Sequence, residues 1–233
     1  MNKELFIKEL EKLKITPTDL QLEQLEKYYE ILVSENKKYN LTAITTKEEV
    51  YLKHFYDSLT IIKIIDLTDQ SLCDIGTGAG FPGIVLKIFY PTLSITLVDS
   101  TLKKCNFLNY VIKELKLNNI KVLNKRAEEF AKETREEYDI VTSRAVAPLK
   151  HLLEYSIPLL KVDGTYIAMK SDISKEIENI SNYEHKLSIK QEKIIKFNLP
   201  IEKSLRTLIS YQKLKPTNII YPRKYNEIKK KDI

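Results

Sequence analysis

A short apolar run that ends in an acid, followed by glycines at every second position, constrains this chain most. The run is Leu72-Cys73-Asp74-Ile75, and Gly76-Thr77-Gly78-Ala79-Gly80 follows it directly, before Phe81-Pro82-Gly83. Glycines at this spacing let a strand turn tightly into a helix and let the backbone approach a ligand closely. Proline suits the first turn of the helix that follows. The segment therefore predicts a strand, a turn and a helix beneath a nucleoside cofactor.

Two acids indicate which nucleoside cofactor this is. Asp74 stands before the first glycine, where an NAD-binding turn usually keeps an apolar residue, and Asp99 closes the next apolar run, 23 residues after Gly76. A carboxylate at that second strand end can accept both ribose hydroxyls. The acids together favour S-adenosylmethionine over a dinucleotide. We expect Asp74, Gly76, Gly78, Gly80 and Asp99 to bind it.

Short apolar runs alternate with helical segments from Ser71 onward. The predicted strands are Ser71–Ile75, Ser94–Val98, Ile120–Leu123, Tyr138–Ser143 and Gly164–Met169. The predicted helices between them are Pro82–Phe89, Leu102–Leu115 and Pro148–Leu160. Such alternation makes right-handed βαβ units and a parallel sheet. The later runs Ser188–Asn198 and Ser204–Leu214 have strand character with no long helix between them, which predicts an antiparallel hairpin at the sheet edge.

The first 65 residues are predicted to be helical and to pack on the domain that follows. Thr16 offers an N-cap with Pro17 at the first helical position, and Ile15 and Leu20 are placed for a hydrophobic staple. One apolar face is then predicted from residues at helical spacing, namely Leu22, Leu25, Tyr29 and Leu32. The expected organisation is a helical extension over 1–65, a cofactor-binding domain over 66–215 and a basic tail over 216–233.

The formal net charge is +6, and most of the excess lies at the C-terminus. Residues 213–233 contain seven Lys or Arg and two acids, with Tyr221 and Tyr225 among them. Lysines neutralise phosphates and aromatic rings stack on bases, so a nucleic-acid partner is one interpretation. The other is a compositional bias, because Lys, Asn and Ile are abundant throughout the chain.

Several other classes of protein are disfavoured. Cys73 and Cys105 are too far apart for a Cys-x-x-Cys redox or zinc motif, and the three histidines share no metal-ligand spacing, so we expect no metal. No run approaches the ~18 apolar residues of a membrane helix. The polar start, Met1-Asn2-Lys3-Glu4, has no signal-peptide core. We expect a cytoplasmic monomer without membrane contact.

Side chains at the later strand ends complete the candidate site. Arg126-Ala127-Glu128 follows the third predicted strand, where adenine lies in such a fold, and Ser143-Arg144-Ala145-Val146-Ala147-Pro148 ends the fourth. Arg144 is placed to contact a cofactor carboxylate or a substrate oxygen, and a surface ion pair is its alternative. Lys170 ends the fifth strand and is placed near substrate or in solvent.

At this point the chain resembles the bacterial small-subunit ribosomal RNA guanine-N7 methyltransferases, also called the glucose-inhibited division protein B family. The likeness is nearly full-length, and one departure is Ser171, where the family commonly has glycine. The motifs that carry the resemblance are Asn40-Leu41-Thr42, His54 with Asp57-Ser58-Leu59, Asp74 to Gly83, Val98-Asp99-Ser100 with Lys103-Lys104, Arg126-Ala127-Glu128, Ser143 to Ala147, and Tyr221-Pro222-Arg223.

The resemblance implies a fold, an activity and a set of site residues. The fold is α/β, a class I Rossmann-like methyltransferase with a mostly parallel seven-stranded sheet, an antiparallel edge strand and an N-terminal helical extension. The activity is methyl transfer from S-adenosylmethionine to N7 of one guanine in 16S RNA, and the partner is that RNA or the small ribosomal subunit. Residues matching the family's cofactor contacts are Gly76, Phe81, Ala127, Glu128 and Arg144. Candidates for catalysis are Arg144, Lys170, His54 and Asp57, and for RNA binding Lys103, Arg206 and Arg223.

The residues themselves disfavour other methylations. Attack on a pyrimidine C5 needs a cysteine nucleophile, usually after proline, but Leu72 and Lys104 precede the two cysteines. An iron–sulfur radical mechanism needs three cysteines. Exocyclic amine methylation typically uses an Asn/Asp-Pro-Pro-aromatic block after the fourth strand, where Ser143-Arg144 stands instead. Two alternatives stay open: a noncatalytic ribosome-binding module that keeps the fold, and a small NAD(P)-dependent oxidoreductase.

Overall fold

Seven strands form one sheet in the computed structural model, which describes residues 1–144, 147–174, 176–177 and 180–233. In chain order they are β1 (Ser71–Ile75), β2 (Ser94–Asp99), β3 (Ile120–Asn124), β4 (Tyr138–Arg144), β5 (Leu160–Lys170), β6 (Ile189–Asn198) and β7 (Leu205–Lys213). Their spatial order is β3-β2-β1-β4-β5-β7-β6. The order reverses between β1 and β4, and open α/β sheets bind ligands outside the carboxyl ends of the strands at such a switch point.

Strand directions confirm the predicted sheet. The first five strands pair in parallel, with β1 between β2 and β4. Strand β7 runs antiparallel to β5, and β6 pairs antiparallel with β7 at the edge. The predicted closing hairpin is therefore present, and its inner strand is the later one in sequence. Strand β1 has the predicted bounds, and β5 begins at Leu160, earlier than predicted.

Helices cover both faces of this sheet. Before the sheet come α1 (Lys3–Lys12), α2 (Asp19–Tyr39), α3 (Lys47–Glu49), a π-helix (Val50–Tyr56), α4 (Asp57–Leu59) and a 3-10 turn (Thr60–Lys63). Within and after it come α5 (Gly83–Phe89), α6 (Leu102–Glu114), α7 (Ala127–Glu133), α8 (Leu149–Ser156), a 3-10 turn (Ile157–Leu159), α9 (Ile180–Leu187) and α10 (Tyr225–Lys230). No helix in the described part of the chain has the length and apolar content needed to cross a bilayer.

Two apolar clusters lie on opposite faces of the sheet, because successive strand residues point to opposite sides. Leu72, Leu97 and Ile140 join the first cluster, which also holds the buried side chains of α1, α2, the π-helix, α5 and α6. Cys73 and Val141 join the second, with the buried side chains of α7, α8 and α9. The N-terminal helices therefore share one continuous core with the sheet.

The start of α2 differs from the prediction. Thr18 is the N-cap, not Thr16, and its hydroxyl accepts from the Gln21 amide while the Gln21 side chain accepts from the Thr18 amide. This reciprocal pair is a capping box, which satisfies two backbone donors at once. Leu20 is 63% exposed and forms no staple.

Three helices of the described chain, α7, α9 and α10, were not predicted from the sequence. They are seven, eight and six residues long, and so short a segment shows too few turns for a clear apolar period. The predicted helix Pro148–Leu160 ends earlier, at Ser156, because a 3-10 turn and β5 follow it. The start of α5 is Gly83, one residue after the predicted Pro82.

Tyr28 connects helix α2 to the glycine loop. The sequence prediction placed Tyr29 on the apolar face of α2, but Tyr28 is the fully buried tyrosine. Its hydroxyl donates to the carbonyl of Ala79, and its ring stacks on Phe81 with 5.3 Å between centroids. An added Cβ on Gly80 would lie 2.5 Å from the Tyr28 hydroxyl, so the loop and the tyrosine are fitted closely to each other.

Replacing Tyr28 by Phe should weaken the fold while keeping the ring. The Ala79 carbonyl is buried and loses its donor, so we expect the free energy of unfolding to fall by about 1–2 kcal/mol in urea titrations. Tyr110→Phe is the matched control, because Tyr110 is 46% exposed. Equal stabilities for the two variants would contradict the role of Tyr28.

Candidate functional site

Two cavities meet at the carboxyl ends of the strands. The larger cavity has a volume of about 700 Å³ and lies beyond β2 and the start of α7. The smaller cavity has a volume of about 400 Å³ and lies between the glycine loop, the π-helix and the ends of β4 and β5. Gly76 and Arg144 line both cavities. A ligand in the larger cavity therefore reaches the smaller one past these two residues.

The glycine loop forms the floor between the cavities. Gly76, Gly78 and Gly80 all have positive φ, a region that residues with a Cβ rarely adopt. The Gly76 amide donates to the Val98 carbonyl at the end of β2, 2.8 Å away. Gly76 and Gly78 line the smaller cavity beside Phe81, whereas Gly80 faces Tyr28, and the predicted contacts of all three glycines with a cofactor stay predictions.

Asp74 lies beneath this loop. Its carboxylate is fully buried, and Oδ2 accepts from the Thr77 hydroxyl at 2.7 Å and from the Gly83 amide at 2.9 Å. Burial raises the pKa of Asp74 to about 6. The carboxylate closes the loop onto α5 and lines neither cavity, so its predicted contact with a cofactor stays a prediction. Its Oδ1 has no partner among the described residues.

Asp99 lines the larger cavity at the end of β2. Its Oδ2 accepts from the Gly78 amide at 3.0 Å and its Oδ1 accepts from the Thr101 amide at 2.9 Å. These two bonds fix the plane of the carboxylate. A carboxylate oxygen accepts more than one hydrogen bond, so both oxygens retain the capacity to accept from a ligand hydroxyl.

The start of α7 lines the same cavity. Ala127 and Glu128 both contribute to its wall, and Glu128 is 6% exposed. The Arg126 Nε donates to the Glu128 carboxylate at 2.5 Å. Asp99 and Glu128 were predicted to bind one cofactor from two separate motifs, and the structure brings them to one cavity.

Arg144 holds the boundary between the cavities. Its Nη1 donates to the Lys53 carbonyl at 2.8 Å and to Asp57 Oδ2 at 3.3 Å, and its Nη2 lies 3.2 Å from His54 Nδ1. Arg206 Nε donates to the same Asp57 carboxylate at 3.1 Å. The predicted residues Arg144, His54, Asp57 and Arg206 therefore form one network around the smaller cavity.

His54 is a neutral member of that network. Its ring stacks on Phe81 with 4.3 Å between centroids, and burial and the Arg144 charge lower its pKa to about 3. Because Nδ1 accepts from Arg144, the proton lies on Nε2, which donates to the Thr42 hydroxyl oxygen 3.0 Å away. The Asn36 side-chain amide holds the Thr42 backbone, because it donates to the Thr42 carbonyl and accepts from the Thr42 amide. His54 lies in the π-helix, a feature often found at functional sites.

Lys170 also lines the smaller cavity. Its Nζ donates to the Ala147 carbonyl at 2.9 Å and to the Glu176 carboxylate at 2.6 Å. These bonds tie the end of β5 to the segment after β4. The predicted motif residues Ala145 and Val146 lie outside the described residues.

Two predicted RNA contacts lie away from the cavities. Lys103 is exposed on the first turn of α6. Arg223 donates through Nε and Nη2 to the two oxygens of Glu154, which is fully buried, so it anchors the C-terminus to α8. Contacts of Lys103, Arg206 and Arg223 with RNA stay predictions. In the part of the chain described, no three His, Cys, Asp or Glu side chains are grouped to hold a metal.

Sequence reasoning missed two residues that shape the site. Tyr28 was passed over for its neighbour Tyr29, and the choice between adjacent residues depends on the surface that the helix meets. Tyr225 lines the larger cavity, a role that neither interpretation of the tail, a nucleic-acid partner or a compositional bias, had included. The sequence shows three tyrosines between residues 211 and 225, but it does not indicate which of them reaches a cavity.

Solved structures of methyltransferases share this fold at low sequence identity. An S-adenosylmethionine-dependent methyltransferase from Aquifex aeolicus matches with a TM-score of 0.53 and 14% identity, over 77% of this chain and 98% of that one. Precorrin-6y C5,15-methyltransferase from Geobacter metallireducens matches with a TM-score of 0.51 and 15% identity, over 73% and 90% of the two chains. The fold is thus that of the Rossmann-like methyltransferases.

Sequence comparison gives the family. Residues 21–205 match the GidB family model, described as rRNA small subunit methyltransferase G. Ribosomal RNA small subunit methyltransferase G of Bacillus cereus is 48% identical over 96% of this chain and 95% of its own. The protein of that name from Mycoplasma capricolum is 47% identical over 89% of each chain. This chain belongs to the rRNA small subunit methyltransferase G family.

The low pKa of His54 predicts a pH dependence of stability. The unfolded chain binds a proton at His54 near its ordinary pKa of 6.5, and the folded chain does so only near 3. The neutral state of His54 therefore costs the folded protein almost no unfolding free energy above pH 6.5, and the unfolding free energy falls as the pH drops toward 3. Between about pH 7 and pH 4.5, wild-type protein should lose about 2–3 kcal/mol more unfolding free energy than His54→Asn.

Urea titrations at both pH values measure this difference. His185→Asn is the control, because His185 is exposed on α9, and it should follow the wild-type profile. Parallel pH profiles for wild type and His54→Asn would show that His54 is not held neutral.

Proposed function

We propose that this protein transfers a methyl group from S-adenosylmethionine to N7 of a guanine in small-subunit 16S ribosomal RNA. One observation carries the proposal: a cavity with a fixed carboxylate meets, at Gly76 and Arg144, a second cavity lined by His54 and Phe81. Membership of the rRNA small subunit methyltransferase G family supports the RNA substrate. The N7 position comes from the residue motifs that resemble guanine-N7 methyltransferases.

The larger cavity fits the nucleoside of S-adenosylmethionine. Asp99 lines it, and each of its oxygens accepts only one backbone hydrogen bond, so the carboxylate retains the capacity to accept from ribose hydroxyls. Gly76 of the glycine loop also lines this cavity, so the loop backbone can approach the ligand closely there. Ala127 and Glu128 form the wall across from Asp99 and would contact the adenine.

The smaller cavity fits a reaction that removes no proton. Guanine N7 carries a free lone pair, so its methylation needs no general base. Of the described groups around this cavity, His54 is neutral and its Nδ1 accepts from Arg144, and the Asp57 carboxylate is paired with Arg144 and Arg206. Neither group is free to take a proton from a substrate.

Catalysis then depends on positioning and on fixed charges. When bound, S-adenosylmethionine supplies an electrophilic methyl group, which the N7 lone pair attacks in line while the electron pair of the C–S bond stays on sulfur. Phe81 lines this cavity, and His54 and Tyr28 both stack on its ring, so Phe81 holds the cavity wall in a fixed position.

Arg144 positions the reacting groups. Both Nη1 protons and one Nη2 proton are used by Lys53, Asp57 and His54, and within the described residues the Nε proton and the second Nη2 proton have no acceptor. These two donors are available to guanine O6, a phosphate or the cofactor carboxylate. A bidentate contact to O6 and N7 is excluded, because it would occupy the lone pair that attacks.

The remaining expectations belong to this proposal. The protein acts as a cytoplasmic monomer on 16S RNA or the small ribosomal subunit, with residues 1–65 as a helical extension, 66–215 as the cofactor-binding domain and 216–233 as a tail. Family membership disfavours the oxidoreductase alternative. The noncatalytic alternative predicts RNA binding without methyl transfer.

Transfer of labelled methyl to small-subunit RNA, followed by cleavage selective for N7-methylguanine, tests the function. Wild-type protein should label one guanine at N7, and label on another atom would overturn the assignment. Arg144→Ala should lower kcat/KM roughly 100-fold, because the base loses its fixed donors. The fold should survive, since Asp57 keeps Arg206. Near-normal turnover in this variant would remove Arg144 from the site.

Cofactor binding is tested separately from turnover. S-adenosylhomocysteine should raise the melting temperature of the wild-type protein, and NADH should not. In calorimetric titrations Asp99→Asn should bind S-adenosylhomocysteine at least about 10-fold more weakly, because one acceptor oxygen becomes a donor. Asp163→Asn, at an exposed position with positive φ that Asn tolerates, is the control. Equal affinity in both variants would remove Asp99 from the cavity's function.

A further inference from the structure

The last 20 residues are held tightly against the core. Arg135 donates through Nη1 to the Tyr221 carbonyl and through Nη2 to the Thr217 carbonyl, both at 2.7 Å. The Arg223 guanidinium is bidentate on Glu154, a carboxylate with no exposed surface. A buried carboxylate needs such a partner to offset its desolvation. These contacts fix the chain on both sides of Pro222 and determine where α10 begins.

Helix α10 is held at its other end by apolar contacts. Ile228 is 1% exposed, and Ile233 is 7% exposed and joins the second apolar cluster. The Asn182 side chain donates to the Ile233 carbonyl, and Lys150 pairs with Asp232 at 2.5 Å. The tail therefore packs on α8 and α9 as a strap, defined here as residues 214–233.

The strap places one aromatic residue at the larger cavity. Tyr225 lines this cavity with Arg126, and the Arg126 guanidinium carbon lies 4.4 Å from the centre of the Tyr225 ring. The Arg126 Nε is bonded to Glu128, so the stacked guanidinium continues the wall that Ala127 and Glu128 begin. Tyr225 does not line the smaller cavity.

We propose that the strap completes the nucleoside site, with Tyr225 positioning Arg126 as the outer wall against the adenosine half of the cofactor. This inference rests on the proposed function. A guanidinium plane and an aromatic ring both cover a purine well, because the flat surfaces exclude water from the base. The family model covers residues 21–205 and so ends before the strap.

The proposal separates the roles of the two cavities. Loss of the Tyr225 ring should weaken ligands that carry adenosine and leave the RNA contacts unchanged. It should also leave stability unchanged, since Tyr225 is 37% exposed. A tail that bound RNA, as its charge alone suggests, would show the opposite pattern.

Calorimetric titrations of the full-length protein with adenosine and with S-adenosylhomocysteine test this. Tyr225→Ala should weaken both ligands by a similar factor of about 5 to 20, because the Arg126 guanidinium loses the ring that holds it in place against the base. Tyr225→Phe keeps the stacking surface and should stay within about twofold of wild type. Tyr110→Ala removes another exposed tyrosine, which lines no described cavity, and should match wild type.

Steady-state kinetics give the second measurement. Tyr225→Ala should raise the KM for S-adenosylmethionine with little change in kcat or in the KM for RNA. Unchanged affinity for both adenosine ligands, or a raised KM for RNA alone, would overturn the inference and leave the proposed function standing. Failure of wild-type protein to bind S-adenosylhomocysteine would overturn the proposed function as well.

Discussion

The Asp57 carboxylate joins three parts of the chain that are far apart in sequence. It lies at the start of α4, is 5% exposed, and accepts from Arg144 at the end of β4 and from Arg206 in β7. A carboxylate buried this deeply is tolerated only when its charge is paired and its oxygens accept hydrogen bonds. The smaller cavity lies where the N-terminal helices dock on the sheet, so the ion pairs that support this docking also line the cavity.

Charge pairing arranges the smaller cavity, and none of the described side chains that line it is a free base. Arg144 is held by Lys53, Asp57 and His54, and His54 is kept neutral by burial beside that arginine. Asp74 fixes the glycine loop from beneath. Such a site has little to offer a reaction that must remove a proton, and it suits attack by a lone pair already exposed on the substrate. The chemistry proposed for the chain therefore agrees with what the buried groups are able to do.

Much of the fold was predictable because buried parallel strands are continuous apolar runs. The limits of β1 were predicted correctly, and Asp99 was placed at a strand end by its position after such a run. Local patterns failed where the answer depended on a distant surface. Tyr28 is the buried tyrosine, and not Tyr29, because the glycine loop packs against it and the Ala79 carbonyl accepts from its hydroxyl. The N-cap is a different case, because Thr16 and Thr18 both offer a local capping signal and the structure uses Thr18.

The sequence by itself determined the alternation of strands and helices, the glycine turn and the acid at the end of β2, because these follow from backbone geometry and apolar periodicity. Only the tertiary structure decided what the charged side chains do. Arg223 belongs to a buried ion pair with Glu154, and Tyr225 reaches the larger cavity, although both read as parts of a basic tail. The partner of a long charged side chain is set by burial and by which elements meet, and a one-dimensional pattern contains neither.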